Sequence, residues 1–279
     1  MKNFTILLIA ILPVYIIALY VYNKDHDKES KKLLAKLLLY GMLSCIPAIF
    51  LELFLGSFFG SEEAMDIVTK FFYVFTSIAF VEEICKWFFV YKIAYKHPEF
   101  DHIYDAIVYS VFVALGFALF ENIFYVFLGG LTIGLLRAIT AVPGHAINGI
   151  IMGEYLGLAK KYGLRGNKQK SKRAIYLSII MPTITHGIYD YCLLTGNLIM
   201  LVLFLIFLLY MYIYSFKTIK RLSNVKNNLN NNNNLVSIKY CPRCEKRGVG
   251  KYCTYCGTPL ITNNTNNINK INRCNNLTR

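Results

Sequence analysis

The sequence predicts an all-α polytopic membrane protein with about seven transmembrane helices and a small cytoplasmic zinc ribbon. Three observations predict this class. Hydrophobic residues make up 56% of the 279 residues, and the mean hydropathy is +0.43, whereas soluble domains are typically about 45–50% apolar. The apolar residues form long runs separated by short polar segments. Two C-x2-C pairs follow the last of these runs.

The apolar runs predict the membrane spans in order. Residues 4–22 carry no charge and are about as long as a bilayer-spanning helix needs to be. We interpret them as an anchor rather than a signal peptide, because they lack an A-x-A-like cleavage site. Pro47 and Glu52 interrupt the second run, and only the Gly129-Gly130 turn separates the fourth from the fifth. The six further spans are predicted at about 33–59, 67–93, 103–128, 131–159, 174–194 and 198–216.

The distribution of basic residues predicts the orientation in the cell membrane. The net charge is +14, from 30 basic and 16 acidic residues, and such a charge is also found in proteins that bind nucleic acid. Here, however, Lys and Arg collect in alternate loops, at 23–32, 160–173 and just after 216, whereas 61–66, 129–130 and 195–197 contain none. Because basic loops stay in the cytoplasm, we expect the N-terminus outside, the C-terminus inside, the lipid bilayer as a partner and no nucleic acid.

The C-terminal region predicts a zinc-binding module behind a linker. Cys241 and Cys244 form one pair and Cys253 and Cys256 the other, so that four thiolates can hold one Zn2+ ion. Disulfides are the alternative, but they are disfavoured in the cytoplasm. The ribbon offers a surface for a cytoplasmic protein partner. The predicted domains are a transmembrane domain at 1–222, an Asn-rich linker at 223–238, the zinc ribbon at 239–260 and a disordered tail at 261–279.

Polar side chains lie at membrane depth in four consecutive predicted spans. Ionisable groups at this depth are rare, generally face the interior of a helix bundle, and mark functional sites. Each of them alone has a structural explanation, such as a buried ion pair or an interhelical amide hydrogen bond, but together they exceed what stability requires. Asp105 and Glu154 lie near cytoplasmic helix ends, so we expect them to be solvated. The membrane-depth residues are Glu82, Glu83, Lys86, Glu121, Asn122, His145, Asn148, His186 and Asp190.

Helical spacing predicts how some of these side chains meet. Lys86 is three and four residues from the two adjacent glutamates and can neutralise one of them, and Asp190 can orient His186, four residues before it. Pro143 and Pro182 precede the two histidines, and we expect each to bend its helix there.

Such a layer can perform hydrolysis in two ways. Two histidines and a glutamate can hold Zn2+ with an open position for water, or a glutamate and a histidine can activate water without a metal. Both routes cleave a peptide bond, and the spacing does not choose between them. An ion or proton transporter and a non-catalytic scaffold that recruits partners through the ribbon remain alternatives.

Four motifs in order resemble the PrsW family of intramembrane proteases, which is related more distantly to the type II CAAX prenyl endopeptidases. They are VEEICK, FALFEN, RAITAVPGHA and HGIYD, and they lie within a protease-like core at about 67–195. The resemblance implies an endopeptidase that cleaves membrane-anchored protein substrates in regulated intramembrane proteolysis, with anti-sigma factors as the archetype. Lys86 replaces an arginine of the CAAX relatives, which argues against prenylated substrates.

The resemblance also implies roles for the membrane-depth residues. Glu82, Glu83, Glu121, His145 and His186 would be the catalytic or metal-binding set, with the other polar residues of the layer in support. Among them we expect Glu83 to be the base that activates water. The zinc ribbon is not part of the family pattern and leaves the substrate open.

Overall fold

The computed structural model describes residues 2–25, 28–100, 102–231, 239–242, 247–248, 258 and 261–262. The chain divides into two units, Met1–Lys226 and Asn227–Arg279, which are described separately. The predicted ribbon ligands Cys244, Cys253 and Cys256 lie outside the described residues, as do residues 232–238 of the predicted linker and 263–279 of the predicted tail.

The first unit is built from α-helices, which confirms the all-α class. A 3-10 turn at Glu62–Ala64 precedes α3, and π-helical segments at Val74–Ala79 and Val90–Ala94 continue α3 and α4 into one helical run. The helices are α1 (Lys2–Lys24), α2 (Lys31–Gly56), α3 (Ile67–Tyr73), α4 (Phe80–Phe89), α5 (Ile103–Ile139), α6 (Ala141–Leu164), α7 (Lys168–Thr195) and α8 (Leu198–Asn231).

Several of these helices are suited to a bilayer. By length and composition, three helical stretches in the described part of the chain can cross a membrane: Lys31–Gly56, Ile103–Leu164 and Leu198–Asn224. A shorter apolar helix covers Leu8–Lys24. The second stretch combines α5 and α6 and is 62 residues long, about three times what one crossing needs at 1.5 Å of rise per residue.

Two breaks divide that long stretch. Gly130 has φ 71° and ψ −164°, a conformation open to glycine because it has no Cβ, and it reverses the chain where the Gly129-Gly130 turn was predicted. The second break is at Thr140, with φ −121° and ψ −71°. The bend expected at Pro143 is therefore wrong by three residues. Pro143 lies in the first turn of α6, where its missing N–H has no intrahelical partner to lose.

Helix α5 lies at the centre of the unit and packs against α1, α2 and α6. Its contact with α2 is a backbone contact. A Cβ added to Gly116 would lie 2.0 Å from the Leu38 carbonyl oxygen, and one added to Gly41 would lie 2.1 Å from that of Val113. Small residues permit such close helix packing in membranes. The polar residues of α5 are thereby held at a fixed height beside α2.

Two acidic residues at the predicted cytoplasmic helix ends are not solvated as expected. Asp105 is fully buried and accepts the backbone N–H of His102, which completes the capping box of α5. Glu154 on α6 accepts hydrogen bonds from Tyr214 at 2.6 Å and Arg221 at 2.5 Å, both on α8. Each carboxylate has found protein donors, which sequence position alone does not reveal.

The second unit contains a small antiparallel sheet. Strand β1 (Lys239–Tyr240) pairs with both β2 (Arg247–Gly248) and β3 (Ile261–Thr262), so the strand order is β2-β1-β3. Cys241 follows β1 directly and is buried. Two elements extend beyond the predicted boundaries: α8 continues to Asn231, where no Gly or Pro interrupts it, and β3 enters the segment predicted to be disordered.

Candidate active site

Four helices bring the predicted polar residues together. Helix α4 carries the two adjacent glutamates and the lysine, α5 carries Glu121 and Asn122, α6 carries His145 and Asn148, and α7 carries His186 and Asp190. Most of these side chains are buried. The convergence expected from their depth in the sequence is therefore present in the fold.

The Lys86 ammonium lies in the middle of the cluster. Its Nζ donates to Glu82 Oε2 and Glu83 Oε1, each at 2.9 Å, and to His145 Nδ1 at 3.0 Å. The ring of Phe117 lies 4.0 Å from the same nitrogen. A fully buried ammonium is tolerated only with such compensation. Lys86 thus contacts both carboxylates, as its spacing of three and four residues allows, and its single charge neutralises one of them.

His145 connects this centre to α5. Because a lysine has only N–H donors, the His145 Nδ1 accepts, and the ring carries its proton on Nε2. That Nε2 donates to Glu121 Oε2 at 2.8 Å. The carboxylate of Glu121 therefore fixes both the orientation and the tautomer of the imidazole.

His186 has a matching arrangement on α7. Its Nδ1 lies 2.9 Å from Glu83 Oε1, and its Nε2 lies 3.1 Å from Asp190 Oδ2. Since both neighbours are carboxylate oxygens, the ring satisfies both contacts as an imidazolium. The predicted pairing of His186 with Asp190 is present. The two imidazole rings lie 5.4 Å apart, nearly perpendicular.

Both histidines share one pattern: Nδ1 faces the residues of α4, and Nε2 faces an outer carboxylate. In metal sites the ring nitrogen that does not bind the metal typically donates to such a carboxylate, which orients the ring. Glu121 and Asp190 occupy this outer position. Their contacts are those of orienting groups.

The donor atoms fit a metal ion. One ligand atom from each of Glu82, Glu83, His145 and His186 lies within 4.8 Å of the others. The second oxygen of Glu83, Oε2, is buried and has no hydrogen-bond partner within the described residues. Two imidazoles with carboxylates are the donor set of hydrolytic zinc sites.

A cavity of about 1050 Å3 opens beside the cluster. Glu82 lies on its wall, but Glu83 does not, because adjacent residues on a helix point about 100° apart. Most of the wall is apolar. The polar side chains of the cluster that line the cavity are Glu82, Glu121, His145, Asn148, His186 and Asp190.

Arg137 is a member of this site that sequence reasoning did not assign. One of its terminal nitrogens lies 3.0 Å from Glu121 Oε2, and its Nε donates to Asn122 Oδ1 at 3.0 Å. The guanidinium stacks 4.0 Å from the ring of Tyr125. In the sequence, the only indication that Arg137 belongs to the site was its place at the start of the RAITAVPGHA motif. The turn at Gly130 brings the second part of α5, which carries Arg137, back against the first part, which carries Glu121.

The two asparagines connect helices, as expected for amides in a membrane. Asn122 Nδ2 donates to the Ala10 carbonyl on α1 at 3.2 Å. Asn148 Oδ1 accepts from the Thr185 hydroxyl on α7 at 2.8 Å. Both amides therefore position the helices that carry the ionisable groups.

Comparison with known proteins gives a consistent result. A family model described as PrsW family intramembrane metalloprotease matches residues 29–216. The chain is 36% identical to the Protease PrsW of Oceanobacillus iheyensis over 189 residues, covering 68% of this chain and 83% of that protein. It is 35% identical to the Protease PrsW of Bacillus subtilis over 191 residues, covering 68% and 83%.

A third relative, the Protease PrsW of Clostridioides difficile, is 32% identical over 192 residues, covering 67% of this chain and 78% of its own length. The matched region contains the whole cluster and ends before the C-terminal unit. No solved structure matches the chain.

Proposed function

Because the chain belongs to the PrsW family of intramembrane metalloproteases, we propose that the charged cluster on helices α4 to α7 is its peptidase centre. Membership makes the chain a multi-pass membrane protein and a peptidase, and favours this function over a transporter or a scaffold. The observation that carries the proposal is the shared orientation of His145 and His186, each between the α4 carboxylates and an outer carboxylate.

We propose that Glu83, His145 and His186 hold a divalent cation such as Zn2+. When bound, such an ion polarises a carbonyl group and lowers the pKa of a water molecule. Glu83 suits a ligand because it is buried off the cavity wall and keeps one unpaired oxygen. Glu121 and Asp190 hold the two rings in place from outside.

The base is assigned to Glu82. Glu83 was the residue expected from the motif, but a general base must reach the water and the scissile bond within hydrogen-bond distance. Only Glu82 of the two lies on the cavity wall. Its contact with Lys86 at 2.9 Å holds the carboxylate at that position. Lys86 thereby positions both glutamates.

The substrate is proposed to be a membrane-anchored protein, with anti-sigma-factor-like proteins as candidates. An apolar cavity of about 1050 Å3 accommodates an extended peptide segment.

We also propose that the chain crosses the membrane seven times. The part of α5 before Gly130 forms one span, and the part after it forms another together with α6. The other five spans are α1, α2, the helical run from α3 to Ala94, α7 and α8. The basic loops support an outside N-terminus and a cytoplasmic C-terminus.

The C-terminal unit is proposed to be a zinc ribbon that recruits a cytoplasmic partner. Cys241, buried beside β1, is the described member of the four-cysteine set. This region lies outside the family match, so its role is separate from the peptidase centre.

The test compares new protein N-termini in membranes from cells that make the wild-type chain, Glu82→Gln or Glu83→Gln, with Glu63→Gln as control on the exposed 3-10 turn. We expect N-termini near the ends of single-span proteins with wild type and control, and none with the other two. Stable insertion of all four with the same N-termini in each would reject the site.

Metal content separates the two glutamate roles. Purified Glu82→Gln should keep the metal stoichiometry of the wild type, because the base is not a ligand. Glu83→Gln should lose about one ion per chain, and Cys253→Ser should independently lose the ribbon ion. Loss of metal from Glu82→Gln with retention in Glu83→Gln would reverse the assignment.

A further inference from the structure

We propose that Glu52 on α2 is a specificity residue that binds a lysine or arginine side chain of the substrate close to the scissile bond. This inference rests on the proposed peptidase centre and adds a substrate preference to it. In the sequence, Glu52 is notable only because it interrupts an apolar run.

The cavity wall carries more negative than positive side chains. Its acidic residues are Glu52, Glu62, Glu82, Glu121 and Asp190, and its one arginine is Arg137. Three of the acidic residues are engaged within the site: Glu82 by Lys86, Glu121 by Arg137 and His145, and Asp190 by His186. Glu62 lies on the exposed 3-10 turn at the rim.

Glu52 differs from all of these. It lies within the apolar stretch Lys31–Gly56, only partly exposed, and it faces the cavity. Across the described ranges, no side chain forms an ion pair or hydrogen bond with its carboxylate. A carboxyl group at membrane depth is costly, and such groups generally pair or line a functional pathway. The carboxylate of Glu52 therefore faces the cavity, the space that a substrate would occupy, and can accept a hydrogen bond from a group bound there.

A metal is not the missing partner. The group of potential metal ligands contains Glu82, Glu83, His145 and His186 and does not reach Glu52. Glu52 nevertheless lines the same cavity as Glu82, Glu121 and His186. A group bound by Glu52 would therefore lie beside the reacting centre and not in it, which is the place of a neighbouring substrate side chain.

The chemistry of that side chain follows from the charges. A second carboxylate would be repelled by Glu52 and by the surplus of acidic groups around it. A lysine or arginine would gain a charge-assisted hydrogen bond that is strong in an apolar surrounding. Its aliphatic stem would lie along the apolar wall, as long basic side chains do at membrane interfaces.

The first experiment collects the cleavage sites made by the wild type, Glu52→Gln and Glu63→Gln, the last being an exposed glutamate off the cavity wall. Wild type and Glu63→Gln should favour Lys or Arg at one fixed position relative to the scissile bond, and Glu52→Gln should lose that preference. Glu52→Asp keeps the charge and should keep the preference. It therefore shows whether the Gln variant has merely misfolded.

The second experiment uses one single-span substrate found in this way, with purified enzyme in liposomes. Changing its basic residue to Met, or Glu52 to Gln, should each lower kcat/KM about tenfold, the loss expected for one charge-assisted hydrogen bond. The two changes together should cost no more than either alone. Glu52→Lys should in turn favour a substrate with Glu at that position.

Failure takes distinguishable forms. If cleavage depends on Glu82 and Glu83 but shows no basic preference, or if Glu52→Gln slows all substrates equally, the inference is wrong and the peptidase centre stands. If no cleavage depends on the two α4 glutamates, the proposed function itself fails.

Discussion

Replacing Arg137 by alanine should lower peptidase activity about 30-fold. The guanidinium makes two contacts at 3.0 Å, with Glu121 and with Asn122. The contact with Asn122 is a hydrogen bond from a charged group, which contributes about 1.5–3 kcal/mol, whereas the contact with Glu121 is an ion pair without a hydrogen bond. The two side chains of the ion pair are 14% and 21% exposed, so screening reduces the value, and we take about 2 kcal/mol for the site. If it is lost from the transition state, that corresponds to about a 30-fold change in rate.

The loss should appear in kcat and leave KM nearly unchanged, because Arg137 acts on the substrate only through Glu121 and His145. Metal affinity should also weaken by about 10- to 100-fold, as with other groups that orient metal-binding histidines. Arg137→Lys should restore part of both, since a lysine reaches one of the two partners but not both. Steady-state kinetics in liposomes and a metal-competition titration measure the two effects.

The matched control is Arg165→Ala, an exposed arginine in the turn between α6 and α7. It should leave kcat and metal affinity unchanged. Arg137→Ala with wild-type kcat and metal affinity would refute the orienting role. A lower melting temperature alone, with both parameters intact, would leave Arg137 only a structural function.

Two further predictions concern stability. Burial, with the negative charge of Asp105 adding to it, raises the pKa of Glu29 in the loop before α2 from 4.5 to about 9. Between these two pKa values the folded chain keeps a proton on Glu29 that the unfolded chain releases. The melting temperature should therefore fall as the pH rises from about 5 to about 9. A Glu29→Gln variant with the same pH dependence as the wild type would contradict this. The second prediction concerns Gly116→Val, which would place its Cβ 2.0 Å from the Leu38 carbonyl oxygen. This variant should destabilise the detergent-solubilised protein by about 3 kcal/mol or more. An unchanged melting temperature would contradict the α2–α5 contact.

Local spacing was enough to predict the inner part of the site. Lys86 lies three and four residues from its glutamates, and Asp190 lies four residues from His186, so any helix brings these groups together. The glycine pair at 129–130 likewise predicted the chain reversal found at Gly130.

Contacts that depend on the phase or register of distant helices were not predictable. A helix places adjacent glutamates about 100° apart, but which one meets the cavity depends on the phase of α4. The π-helical segment Val74–Ala79 lies directly before α4, and its wider turns shift the phase of the residues that follow. The choice of Glu82 over Glu83 as the cavity residue therefore requires the structure.

The pairing of Arg137 with Glu121 could not be predicted for the same reason. It depends on the register between the two parts of α5 that meet after the turn at Gly130, and on the break at Thr140. Neither is encoded in the periodicity of the apolar residues, which run around the whole helix. The burial of Asp105 combines the local cap at His102 with the approach of Asp25 and Glu29 from the loop before α2, and only the second is at long range in the sequence.

The charges of the described site complete the case for a divalent ion. Four carboxylates meet two permanently cationic side chains there, which leaves two negative charges at membrane depth; these residues are Glu82, Glu83, Glu121, Asp190, Lys86 and Arg137. Uncompensated charge in so apolar a place is expensive. Two neutral imidazoles and one divalent cation balance the surplus, whereas without the ion the imidazolium of His186 beside a neutral His145 balances only half of it. The ion-free cluster therefore keeps about one negative charge in excess at membrane depth, and a bound divalent cation is the state in which the charges of these side chains cancel.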